Sequence, residues 1–149
     1  MEKGNYGKFV LMLGLSFVVM YVVMFSNVAE ISHFHLNLNR LYMTILMVGP
    51  MALIMLLVMR SMYKDKKLNA IIAAISIIAT VGSFIMLRNQ SFVGDEAFIQ
   101  AMIPHHSSAI LVSEEARIQD PELKKLAEEI IRTQKKEIAE MEKILERVD

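Results

Sequence analysis

The chain reads as an all-α integral membrane protein, with three transmembrane helices followed by a C-terminal helical hairpin that pairs into a four-helix bundle by dimerisation. Three observations predict this. More than half of the 149 residues are apolar, 54% of them, and the excess lies before residue 88. That part holds three uncharged apolar runs of spanning length, at 9–26, 41–59 and 70–87. Beyond it the pattern changes to amphipathic helix, and the charge changes sign: seven Lys/Arg against three Asp/Glu before residue 88, nine against thirteen from there on. The chain therefore divides into a membrane domain at 1–88 and a hairpin domain at 89–149.

The first run covers about 27 Å as a helix, enough for the hydrocarbon core. Lys3 and Lys8 give it a basic leader, but it is long for a signal-peptide core, and Asn27-Val28-Ala29 is a poor cleavage site. The second run contains Gly49-Pro50, which should kink it, a device that bilayers tolerate where a neighbour satisfies the freed carbonyl. Small residues in the third run, among them Ala73, Ser76, Ala79 and Ser83, offer a surface for close helix packing. Arg60, Lys64, Lys66 and Lys67 crowd the second loop, whereas the first holds Arg40 alone. The positive-inside rule then puts the N-terminus in the cytoplasm and the C-terminal domain on the extracytoplasmic face of the cytoplasmic membrane.

In the hairpin, Asp95 caps a first helix over 95–119, and Asp120-Pro121-Glu122 restarts a second over 121–147, with an N-cap acid and proline at the first helical position. A very short turn makes the two helices antiparallel neighbours. With that turn centred near Asp120, His106 falls opposite Gln134, and Met141 lies about one turn along from Met102, roughly 5 Å in axial displacement. Two helices bury too little apolar surface to stand alone, so a homodimer or higher homo-oligomer is expected.

The stretch 102–106, Met-Ile-Pro-His-His, carries the chemistry. No cysteine is present, so soft ligands must be thioether or imidazole, and 13 methionines and four histidines supply them. Met102, His105, His106 and Met141 form the candidate metal site, with Glu137 as an accessory carboxylate. Adjacent histidines diverge by about 100° on a regular helix, so both reaching one ion requires distortion at Pro104 or a second chain. A weaker cluster is His33 and His35 in the first loop, flanked by Met24 and Met43. Thioether and imidazole suit Cu(I), and imidazole with carboxylate suits Cu(II) or Zn(II). The bland alternatives are a core role for the methionines and a surface or interface role for the histidines.

Other classes are poorly served. Met43, Met47, Met51, Met55 and Met59 recur at i+4, but each step drifts about 40°, so the line winds around the second span and makes no conduit. A bundle di-iron site needs Glu-x-x-His pairs, and no hydrolase or nucleotide-binding motif occurs, so no enzyme is expected. An acidic tail without a basic stripe excludes nucleic acid.

Phe98-x3-Met102-Ile103-Pro104-His105-His106-x2-Ala109-Ile110, with Gln134-x2-Glu137-Ile138-x2-Met141, resembles the domain of unknown function 305 family over residues 95–147. The resemblance implies a bacterial, ferritin-like helical fold whose better understood members bind copper in the periplasm. By it, Met102, His105, His106 and Met141 fall on the metal ligands, and the spans lie outside the match. Ser107, Ser108 and Val112 stand where the family often carries Gln-Met or a further Met. The expected function is copper binding for sequestration or delivery, with membrane lipid, a second copy and other copper-handling proteins as partners. The alternative is a metal-free module whose hairpin drives oligomerisation in the membrane.

Overall fold

The structure is a computed structural model that describes residues 2–148, with side chains from Asn5 onward. Among the described residues the chain is all helix: α1 (Glu2–Val23), α2 (Leu38–Val58), α3 (Lys66–Arg88), α4 (Asp95–Glu115) and α5 (Pro121–Val148), with one 3-10 turn at Ile31–His33 and no strand. Residues Asn5–Val23, Leu38–Val58 and Lys66–Arg88 are long and apolar enough to cross a membrane. Their outward residues agree with that environment, since Val10, Leu15, Ile54, Leu57, Ile75 and Ile78 are all exposed.

The chain forms two compact units. The first comprises Met1–Val23 and Asn39–Ser91, which hold the three spans. An aromatic cluster closes one end of it: Tyr63 packs edge-on to Phe9, with ring centroids 5.2 Å apart, and tilted against Tyr6 at 5.3 Å. The Tyr6 hydroxyl donates to Asn69 Oδ1 at 2.8 Å, and Asp65 caps α3 by accepting from the Lys67 and Leu68 amides. Helix α2 runs on through Pro50, and at Gly49 the α3 backbone and Thr80 come so close that a Cβ would collide with the Thr80 hydroxyl. The small residues of α3 serve the close packing expected of them. The methionine line divides as its drift requires: Met43 and Met47 are exposed, whereas Met55 and Met59 pack on the aromatic cluster.

The second unit is Met24–Leu38 together with Phe92–Asp149. Here α4 and α5 pack through Ile99, Ile103, Ile110 and Ile138, with Ile131, Met141 and Leu145 closing around them. Helix α4 ends at Glu115, short of the expected 119, because Ala116 turns to extended backbone (ψ 132°). The connector 116–120 is therefore longer than the tight turn expected. It leads into the predicted restart, in which Asp120 Oδ1 accepts from the Leu123 amide at 2.8 Å ahead of Pro121.

The loop between the first two spans, Met24–Leu38, is a strap across this hairpin. Phe25 is buried in it and stacks on Phe34 with centroids 4.2 Å apart. Ala29 packs on the isoleucine core. Polar contacts complete the seat: Asn27 Nδ2 donates to Ser108 Oγ at 2.8 Å, and the Ala29 amide donates to Ser107 Oγ at 2.7 Å.

Candidate metal centre

Helix α4 presents His105 and His106 on different faces, as their adjacency dictates. His105 is exposed; His106 is largely covered, with 13% of its side chain accessible. The two rings meet edge-to-face with centroids 6.0 Å apart. Pro104 is buried within the helix.

The geometry around His106 is specific. Its Nδ1 lies 2.8 Å from the Met102 carbonyl, which can only accept, so Nδ1 carries the proton. The other nitrogen, Nε2, is 3.0 Å from Glu137 Oε2, and Gln134 Nε2 donates to the same oxygen at 3.2 Å. A neutral ring held this way sets its Nε2 lone pair against a carboxylate oxygen. Only a cation at that point, a proton or a metal ion, makes the contact favourable. Orientation of an imidazole by a backbone carbonyl on its far nitrogen is also the support that metal-bound histidines use.

The expected residues are thus only partly joined. His106 and Glu137 meet, three positions along α5 from the expected partner Gln134, which itself donates to the Glu137 carboxylate. Met141 packs on the isoleucine core, and Met102, half-buried, offers its carbonyl to His106. Among the described residues no group of three or more His, Asp or Glu side chains is arranged to hold an ion. The donors that fit a metal here are one imidazole nitrogen and one carboxylate oxygen, a set suited to Cu(II) or Zn(II), with Met102, His105 and Met141 nearby in sequence and fold.

The accessory histidines serve the strap. His33 is buried, 7% exposed, and its Nδ1 sits 2.8 Å from Ser107 Oγ. Ser107 Oγ thus serves two partners, accepting from the Ala29 amide and sharing a hydrogen bond with His33 Nδ1 whose direction follows the imidazole tautomer. His35 is half-buried, and burial holds its imidazole below the usual value of 6.5, with Glu142 opposing that and His33 adding to it. An open cleft of about 460 Å³ between strap and α5 is lined by Glu30, Ser32, His33, Lys135 and Glu142. Met43, the remaining accessory residue, belongs to α2 in the other unit. Ser107 is the residue that sequence reasoning passed over: a small polar residue in an apolar helix stretch was its signal.

The fold and site together define an all-helical protein with three helices long and apolar enough to cross a membrane and a strapped C-terminal hairpin. The chain belongs to the family described as Domain of unknown function (DUF305), which matches residues 57–145. That match begins well before residue 95 and takes in α3, so the third span lies inside the family region and the narrower extent read from the motifs is corrected. The chain is also 38% identical over 145 residues to an uncharacterized protein of Acanthamoeba polyphaga mimivirus, covering 95% of this chain and 93% of that one. The similarity therefore runs through spans, strap and hairpin alike. No solved structure matches.

Proposed function

We propose that the protein is a membrane-anchored metal-binding protein whose hairpin takes copper at the His106–Glu137 face for sequestration or delivery, without turnover. The observation that carries this reading is the His106 ring, locked through Nδ1 on the Met102 carbonyl with Nε2 opposed to Glu137 Oε2 at 3.0 Å. His106 would hold copper there through its Nε2 nitrogen and Glu137 through a carboxylate oxygen, with the Met102 carbonyl orienting the ring. Met102, His105 and Met141 are the reserve of softer donors for Cu(I). In this reading the N-terminus is cytoplasmic by loop charge, the hairpin lies outside, and a second copy completes a four-helix bundle.

Calorimetric titration of metal-free full chain in detergent with Cu(II), Cu(I) and Zn(II) tests it. Binding tighter than micromolar at one ion per chain or per dimer is expected, weakened by His106→Ala and Glu137→Gln. Affinity no tighter than millimolar, or unchanged in the His106→Ala variant, defeats it.

A further inference from the structure

The hairpin has two broad faces, and the strap covers one of them. Strap contacts fall on Ser107 and Ser108 of α4, and the cleft beneath the strap is walled by Lys135, Ala139 and Glu142 of α5. The opposite face is set by stepping back one residue from each core position. On α4 the core residues Ile99, Ile103 and Ile110 give way to Phe98, Met102 and Ala109; on α5, Ala127, Ile131 and Ile138 give way to Leu126, Ile130 and Glu137. One residue back is a turn of about 100°, and because the helices are antiparallel both turns lead to the same side.

That side is largely apolar, with Glu137 and His105 its polar members, and the strap leaves it uncovered. Phe98 is 52% exposed, Val112 63%, Leu123 50% and Leu126 51%. The α4 stripe Phe98, Met102, His105, Ala109, Val112 alternates four and three residues, the spacing of helices that pack on other helices. No Asp, Glu, Lys or Arg lies between Glu96 and Glu114, whereas the outer surface of α5 is dense in both signs. A helix facing water does not leave that length uncharged.

Charge decides what covers it. The stripe is flanked by acids, Asp95 and Glu96 before it and Glu114 and Glu115 after it, with no Lys or Arg among them. Docking on an anionic lipid surface calls for basic flanks, so a membrane is a poor occupant. A second copy offers the same uncharged α4 stripe together with Leu123, Leu126 and Ile130 of α5. A face about 30 Å long and two helices wide also approaches the roughly 800 Å² per partner of a stable interface. We infer that the strap-free face of the α4–α5 hairpin is the self-association surface of this chain. A two-fold axis along the hairpin seats α4 of one copy against α5 of the other, so that neighbouring helices are all antiparallel. The inference rests on the pairing proposed above and gives it a surface; it is independent of whether metal binds.

Sedimentation equilibrium of the full chain in density-matched micelles tests it, with Val112→Lys/Leu126→Lys on the face and Ala139→Lys on the strap side. Wild type and Ala139→Lys should dimerise alike, and the double variant should dissociate roughly 100-fold more readily, about tenfold per substitution. The absence of cysteine allows a second readout: a nitroxide at Val112→Cys, in nanodiscs, should show spin–spin broadening between copies and low access to oxygen. A monomeric wild type, or a double variant that dimerises normally, overturns the inference. So does a Val112 label that is freely oxygen-accessible without broadening, which would make lipid the occupant. Calorimetry on the same samples separates the two proposals, since monomers that still bind copper sink this one alone, and dimers that bind none sink the metal reading alone.

Discussion

Replacing Ser107 by Ala removes one oxygen that serves two partners. Ser107 is fully buried, accepts from the Ala29 amide at 2.7 Å and stands 2.8 Å from His33 Nδ1. Truncation leaves a backbone donor and a buried ring nitrogen unpartnered, each at about 1–3 kcal/mol. Taking the lower part of that range, because the Ala29 contact is only part-buried, strap docking should weaken by about 2–4 kcal/mol, or roughly 30- to 900-fold in the opening equilibrium. The isoleucine core between α4 and α5 is untouched, and alanine slightly favours the helix. Hydrogen exchange followed by mass spectrometry should therefore show faster exchange in peptides from the strap, with those covering Ile103 and Ile138 nearly unchanged. Unaltered strap exchange would refute the reasoning, as would an equal acceleration of strap and core.

Three further outcomes follow from particular contacts. Gly49→Ala forces a Cβ into Thr80, so the spans should separate and the apparent Tm in detergent fall, while Gly49→Ala/Thr80→Ala should recover part of the loss. Gln90 follows α3 with φ 49°, and the Ser91 amide bonds the Met86 carbonyl across it, so Gln90→Gly should stabilise the helix end by up to about 1 kcal/mol in thermal unfolding. For His35 the folded value is depressed. Its contribution is thus present above the ordinary value of 6.5 and lost as pH falls below that through the folded value. Strap exchange should quicken across that acid range and lose this component in His35→Gln.

The three long apolar helices were legible because a helix able to cross lipid is written as an uncharged run, and the hairpin because Asp120-Pro121 marks a helix start that few other conformations satisfy. The His106–Glu137 contact was nearly legible. Both residues stood out, but a register counted across a tight turn chose Gln134, one helical turn from the carboxylate that His106 meets. The left-handed Gln90 is hidden because glycine usually marks that position. Strap docking could not be read at all. Its bonds join residues 74 to 81 positions apart, and Ser107 and Ser108 look like lapses in a metal motif until their partners His33, Ala29 and Asn27 are seen.

The coordination of bound copper tests the central claim most directly. Full chain loaded with one Cu(II) should give an electron paramagnetic resonance spectrum with imidazole nitrogen coupling. That coupling should be lost or simplified in His106→Ala, altered in Glu137→Gln and kept in His35→Gln. A stoichiometric signal unchanged by His106→Ala, or no stoichiometric signal at all, would contradict the account.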